Sequence, residues 1–115
     1  MAPDGKPRVP PARATLALLA VGWVLFANVA LPAAQHTVTI EGMQFNPPQL
    51  TVHRGERIVW VNKDLFPHTV TANDKAFDSG SIAANASWAF TPAKAGEYAY
   101  SCSFHPTMKG MIKVQ

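Results

Sequence analysis

GEYAYSCSFHPTMKG, residues 96–110, is the stretch that decides how the rest of this 115-residue chain is interpreted. Gly96–Ser101 alternates two tyrosines with smaller or charged residues, and this period of two is typical of a β-strand. Cys102, the single cysteine of the chain, follows directly, and His105 and Met108 come after it at steps of three residues. Thiolate, imidazole and thioether are soft donors that suit copper better than magnesium, calcium or manganese. The stretch therefore predicts a strand that ends in a copper-binding loop.

The remainder of the chain repeats the same short, alternating pattern. Turn-forming proline, glycine, asparagine and aspartate residues separate these segments, which is the pattern of an all-β domain. The further predicted strands are His36–Glu41, Gln49–His53, Arg57–Asn62, His68–Ala72, Ser87–Phe90 and Lys109–Val114. Short strands at this spacing predict an antiparallel Greek-key β-sandwich.

A targeting segment is predicted before the sandwich. Ala14–Leu31 is an uncharged, mostly apolar run, and Pro32-Ala33-Ala34 follows it. Three basic residues precede the run: Lys6, Arg8 and Arg13. This pattern predicts an N-terminal apolar targeting helix, with residues 1–34 acting as a signal peptide or signal anchor and residues 35–115 forming the domain. Cleavage is favoured over anchoring. The domain is expected to be periplasmic or otherwise extracytoplasmic, and membrane-bound through residues 14–31 only if the segment is uncleaved.

The charge balance excludes several classes of partner. The whole chain carries a net charge of +3, but three basic residues and Asp4 place +2 of it in residues 1–34. Residues 35–115 therefore carry only about +1, with no basic stripe for nucleic acid and no acidic block for a polycation. We expect a monomer that binds no nucleic acid.

The predicted fold brings a second histidine to the cysteine loop. His68 follows Pro67 at the entry to a strand, whereas Cys102 leaves one. Loops cluster at the ends of a sandwich, so these two side chains can meet there. Two imidazoles and one thiolate with a weak axial thioether are the ligands of a blue-copper electron-transfer site. The predicted metal ligands are therefore His68, Cys102, His105 and Met108.

Two stretches carry a family resemblance: NKDLFPH at residues 62–68 and the stretch at residues 96–110. Together they resemble the small type 1 copper proteins of the cupredoxin family, and the short ligand loop is similar to that of amicyanin more than to that of plastocyanin or azurin. The resemblance implies one type 1 copper and single-electron transfer between redox partners, such as a c-type cytochrome or a dehydrogenase, with no catalysis by the protein itself. It also implies that Asn62 ties its loop to Ser103, the hydroxyl-bearing residue after Cys102.

Several alternatives remain open on the residues alone. The same ligands would serve a periplasmic protein that stores or delivers copper without transferring electrons. A zinc site is disfavoured, since Met108 is a poor zinc ligand. Met111 is the other candidate for the axial position, although the strand period places it on the outer face with Lys113. If cleavage leaves Ala34 as the first residue, the terminus Ala34-Gln35-His36 predicts a second, square-planar Cu(II) site.

The residues around the ligands also predict where a redox partner binds. His105 is expected to be the ligand nearest solvent, within an apolar surface. The residues expected around it are Phe66, Pro67, Pro106 and Met111. Electron carriers form brief, small interfaces, and such a surface on a nearly neutral domain suits them.

Overall fold

The structure, a computed structural model, describes residues 4–5, 11–12, 19–24 and 33–115. The chain separates into two units, Met1–Ala30 and Leu31–Gln115. The predicted targeting helix falls mostly outside the described residues, and the part of it that is described, residues 19–24, forms neither helix nor strand. That helix is therefore not confirmed. Within the described ranges, no helix has the length and apolar character needed to cross a membrane.

The second unit consists of eight strands in two four-stranded sheets. The strands are β1 (Gln35–Glu41), β2 (Gln44–Asn46), β3 (Gln49–Val52), β4 (Arg57–Asn62), β5 (Thr71–Ala72), β6 (Ser87–Phe90), β7 (Gly96–Ser101) and β8 (Lys109–Val114). One sheet has the order β2-β1-β4-β6 and the other β3-β8-β7-β5. The predicted all-β fold is confirmed, and the bounds of β4, β6, β7 and β8 are as predicted.

The sheets are mixed, so the prediction of an antiparallel sandwich is wrong for two strand pairs. β1 pairs with β4 in parallel, and β3 pairs with β8 in parallel. The chain leaves the first sheet after β2, adds β3 to the second sheet and returns as β4, so β4 runs in the direction of β1. Alternation along a strand shows which face is buried and does not show the direction of its neighbour.

The other four strands differ from the prediction, and β1 and β3 do so by only one residue at one end. β2 was not predicted, because only three residues lie between the Gly42-Met43 turn and Pro47. The predicted strand His68–Ala72 is reduced to Thr71–Ala72. His68 instead forms an isolated bridge with Ile82, in which each N–H donates to the other residue's carbonyl, at 3.1 and 2.7 Å. The bridge holds His68 at the end of the sandwich.

The core between the sheets is rich in aromatic rings. Trp60 and Tyr100 are both fully buried, and the Trp60 Nε1–H donates to the Tyr100 hydroxyl at 3.2 Å. Burial raises the pKa of Tyr100 to about 12, partly offset by this hydrogen bond, so the phenol stays neutral. The Tyr100 ring occupies the space that a side chain at Gly110 would take. Tyr100 thus anchors β7 two residues before Cys102.

Candidate metal centre

A tight loop between β7 and β8 carries three of the four predicted ligands. The His105 N–H donates to the Cys102 carbonyl at 3.2 Å, and the Met108 N–H donates to the His105 carbonyl at 2.9 Å. The Cys102 N–H closes the loop by donating to the Met108 carbonyl at 3.1 Å. Backbone hydrogen bonds therefore set the spacing of Cys102, His105 and Met108.

The structure brings His68 to this loop from the other side. The Cys102 Sγ lies 3.8 Å from the His68 Nδ1 and 3.7 Å from the His105 Nδ1. The three donor atoms all lie within 4.8 Å of one another. Cys102 and His68 are fully buried, whereas His105 is half-buried. The predicted meeting of a strand-entry histidine and a strand-exit cysteine is what the structure shows.

These distances fit a metal ion placed between the three atoms. Bonds of about 2.05 Å to nitrogen and about 2.3 Å to sulfur, as found for zinc, separate N and S by about 3.8 Å at a trigonal angle and by about 3.6 Å at a tetrahedral angle. The observed separations of 3.8 and 3.7 Å allow one ion to bind all three atoms. Two imidazoles and one thiolate form a donor set that fits type 1 copper better than structural zinc.

Met108 is buried in the same loop as Cys102 and His105, and its role as the fourth donor stays a prediction. Its side chain is only 3% exposed, and its backbone bonds to both Cys102 and His105. Met111 lies elsewhere. It pairs with Ala99, which is three residues from Cys102 along β7 and so about 10 Å down the strand. The expectation that Met111 contributes to the surface around the ligands is therefore wrong.

Thr69 joins the two ligand-bearing segments. Its backbone N–H points at the Cys102 sulfur, at 3.3 Å. Its hydroxyl accepts from the Ser103 N–H at 2.7 Å and shares a hydrogen bond with the Ser103 hydroxyl, also at 2.7 Å. The expected bond from Asn62 to Ser103 is wrong, because the Asn62 side chain makes its hydrogen bonds to Phe66, Ile82 and Asp64 instead. Sequence analysis missed Thr69, although its position directly after His68 was a usable signal.

Asn62 instead holds the loop that leads to His68. Its buried amide donates to the Phe66 carbonyl at 2.7 Å and to the Ile82 carbonyl at 3.0 Å. Its side-chain oxygen accepts from the Asp64 N–H at 2.9 Å. Asn62 thus holds the segments on both sides of the bridge between His68 and Ile82. The resemblance implied that Asn62 holds this loop, and this part is confirmed, whereas the implied link to Ser103 is not made by Asn62.

Replacing Asn62 with alanine should strongly destabilise the metal-free protein. The change leaves the carbonyls of Phe66 and Ile82 without their donor, and we expect the free energy of unfolding to fall by about 2–4 kcal/mol. Urea unfolding of the metal-free domain measures this. Asn73→Ala is the matched control, because Asn73 is exposed and should change stability by no more than about 0.5 kcal/mol. Equal losses in both variants would contradict the role of Asn62.

A carboxylate that was not predicted contacts the buried histidine. The Asp64 Oδ2 lies 2.8 Å from the His68 Nε2, the ring nitrogen that faces away from Cys102. Asp64 also accepts backbone N–H groups from Gly42 and Met43, at 2.7 and 3.0 Å. Burial raises the pKa of Asp64, but the donors Met43, Gly42 and His68 outweigh it, and the pKa lies below its ordinary value. Asp64 is therefore a carboxylate at neutral pH.

The surface around His105 is apolar. Phe66 is 61% exposed and Phe104 is 52% exposed, while Pro67 and Pro106 are also exposed. Within residues 33–115, the exposed large hydrophobic residues are Met43, Leu65, Phe66 and Phe104. All four belong to the ligand loops or to the turn bound by Asp64. Phe104 and Leu65 were missed because no periodic pattern marks a loop residue as exposed.

His36 lies apart from these ligands, on β1. Its Nε2 is 3.4 Å from the Glu56 Oε1, and its side chain is 27% exposed. The predicted second copper site depends on a chain that begins at Ala34, and it stays a prediction.

Comparison with known proteins agrees with the geometry. The model of the cupredoxin-like domain matches residues 14–114. Amicyanin from Paracoccus versutus is 32% identical over 91% of this chain and 94% of its own, and a Synechococcus plastocyanin is 28% identical over 76% and 78%. A solved structure of an amicyanin mutant in its reduced state superposes with a TM-score of 0.66 at 29% identity, covering 70% of this chain and 82% of that one. The resemblance found in the two sequence stretches is confirmed: the chain belongs to the cupredoxin family.

Proposed function

We propose that this protein is an exported mononuclear type 1 copper protein that shuttles single electrons between redox partners. The observation that carries the proposal is the cluster of Cys102 Sγ, His68 Nδ1 and His105 Nδ1, which all lie within 4.8 Å of one another. His68, Cys102 and His105 would hold the copper, and Met108 would supply a further, weak sulfur ligand. The bound copper supplies a one-electron Cu(II)/Cu(I) couple. The amicyanin and plastocyanin relatives support a carrier, and we infer that the protein catalyses no reaction by itself.

The contacts around the ligands suit electron transfer. Cu(II) and Cu(I) prefer different ligand positions. In this protein the ligand residues are held in place by the backbone hydrogen bonds of the cysteine loop, by the hydrogen bonds of Thr69 to Cys102 and Ser103, and by the amide of Asn62. A frame that does not relax keeps the geometry the same in both states, so little energy is spent on rearrangement. His105 is the most exposed of the three clustered ligands, and it offers the shortest route from the metal to a partner's cofactor.

Copper storage or delivery is the competing function, and the burial of the ligands weighs against it. A storage protein must release its metal, whereas Cys102 and Met108 are at most 3% exposed. Two measurements on one sample separate the functions. A carrier is oxidised rapidly by ferricyanide or by a c-type cytochrome in stopped-flow mixing and keeps its copper against a Cu(I) chelator. Rapid copper loss with slow electron transfer would favour storage.

The apolar surface formed by Leu65, Phe66, Phe104 and Pro106 is proposed as the docking site for both partners. With about +1 net charge on residues 35–115, long-range steering is weak, and the transfer rate should depend only modestly on ionic strength. Phe66→Glu should slow transfer from the physiological donor by about tenfold or more while the visible spectrum stays nearly unchanged. Pro106→Glu should act in the same direction.

Ala95→Glu is the matched control for docking. It adds the same charge at an exposed residue before β7, at the opposite end of that strand from Cys102. The control should transfer electrons at the wild-type rate. If Ala95→Glu slows transfer as much as Phe66→Glu does, or if the rate depends steeply on salt, docking is governed by charge and not by this surface.

Export rests on residues 1–34, and we infer a periplasmic or other extracytoplasmic location. The relatives' matches run through most of the chain, and the basic-then-apolar order of residues 6–31 supports a targeting segment. N-terminal sequencing of the protein recovered from the periplasm and the membrane fraction tests it. A first residue of Ala34 would also create the proposed Cu(II) terminus at His36. An intact N-terminus in the membrane fraction would identify a signal anchor.

A further inference from the structure

Asp64 connects a metal ligand to a turn that is distant in the sequence. Its Oδ2 faces the His68 Nε2 at 2.8 Å, while both of its oxygens accept backbone N–H groups from the turn between β1 and β2. That turn, Gly42-Met43, has φ angles of 63° and 60°. A methionine at positive φ is unfavourable, so the two hydrogen bonds from the turn to Asp64 stabilise a strained backbone.

The carboxylate also determines which nitrogen of His68 carries the proton. A deprotonated Asp64 only accepts hydrogen bonds, so the His68 Nε2 must be the donor. The neutral ring then has a free lone pair on Nδ1, the atom that lies 3.8 Å from the Cys102 sulfur. Carboxylate–histidine–metal arrangements of this kind orient the ring and make the coordinating nitrogen more basic.

The charge of Asp64 acts on the metal as well. His68 is fully buried and the Asp64 side chain is only 13% exposed, so water screens the carboxylate weakly. A negative charge one imidazole ring away stabilises Cu(II) more than Cu(I), because the oxidised ion carries the larger positive charge.

We propose that Asp64 is a positioning residue that sets the tautomer of His68 and lowers the reduction potential of the bound copper. The inference rests on the proposed copper function and adds a residue that is not itself a ligand. It predicts that the β1–β2 turn and the metal centre are linked through one carboxylate.

The test is Asp64→Asn, which keeps the size of the side chain and removes its charge. We expect the Cu(I)/Cu(II) equilibrium to shift about tenfold toward Cu(I), which for one electron is a rise of about 59 mV in redox titration. In the diamagnetic Cu(I) protein, the His68 Nε2–H should give a slowly exchanging ¹H–¹⁵N signal that exchanges faster in the variant. Asp64→Glu keeps the negative charge, so its reduction potential should stay closer to that of the wild type than the potential of Asp64→Asn does.

Asp74→Asn is the matched control. It removes the same charge from an exposed turn, where the Asp74 carboxylate holds the Ala76 N–H at 2.9 Å. Its potential should stay near that of the wild type. Equal shifts in Asp64→Asn and Asp74→Asn, or an unchanged Nε2–H exchange rate, would overturn the inference while leaving a blue wild-type protein intact. A wild-type protein without blue copper would instead overturn the proposed function.

If Asp64→Asn does not fold, Asp64→Glu and the wild-type protein still test the inference. A rapidly exchanging His68 Nε2–H in both proteins would refute the hydrogen bond to residue 64.

Discussion

Cys102→Ser is expected to abolish the blue colour of the copper-loaded protein. The intense absorption of a type 1 site arises from charge transfer between a thiolate and Cu(II), and Cys102 is the only thiol of the chain. A serine hydroxyl stays protonated near neutral pH and is a poor copper ligand, so the variant should bind Cu(II) weakly and without colour. Visible spectroscopy with metal analysis of the same sample measures both effects.

Ser103→Ala provides the control for Cys102→Ser. It alters the neighbouring residue and removes a hydroxyl that contacts Thr69, yet leaves the thiolate in place. This variant should remain blue, with a small change in its spectrum. A Cys102→Ser protein that retained the intense band would mean that the metal is held elsewhere, and the proposed ligand set would have to be abandoned.

The parts of the fold that could be predicted are those governed by local alternation. β4 has the predicted bounds because its residues lie in turn on a buried and an exposed or half-buried face. β2 has too few residues for a period to be visible, and β5 is short because His68 is held in a bridge instead of a ladder. The parallel pairing of β1 with β4 depends on which sheet β3 joins, and no local pattern contains that information.

The same distinction between local and long-range information applies to the residues of the candidate site. Cys102, His105 and Met108 were accessible from sequence because one short loop contains them all. Predicting His68 as a ligand also required a predicted fold. The expectation that loops meet at one end of a sandwich was sufficient to place His68 near Cys102. Asp64 could not be found in this way, since its partners Gly42 and Met43 are more than twenty residues away and meet it only in the folded chain.

The contacts of Asn62 show the limit of a family resemblance. The residue is buried and holds a ligand loop, as implied, but its hydrogen bonds go to Phe66 and Ile82. The link to the cysteine loop comes from Thr69, a side chain on the opposite flank of His68. The family resemblance correctly predicts that the loop before His68 and the cysteine loop are held together. It does not predict which atoms join them, because those depend on the side chains that this sequence places there.

Met108→Leu is expected to keep the blue site and raise its reduction potential. Leucine has nearly the volume of methionine, so the buried side chain should be replaced without a large packing cost. A thioether donor helps Cu(II) more than Cu(I), since the reduced ion is satisfied by three ligands, and removing the sulfur therefore disfavours the oxidised state. We expect a rise of at least about 59 mV, equivalent to a tenfold change in the equilibrium of a one-electron couple, together with an altered spectrum.

Met111→Leu is the matched comparison, because it makes the same chemical change on β8 at a residue that pairs with Gln49 and Ala99. Its potential and spectrum should equal those of the wild type. Redox titration of both variants separates the two methionines. A shifted Met111→Leu beside an unchanged Met108→Leu would reverse their roles, and two unchanged potentials would show that the copper has no sulfur ligand beyond Cys102. The backbone bonds from Met108 to Cys102 and His105 are the reason to expect the shift in Met108→Leu, since they hold Met108 beside two of the proposed ligands.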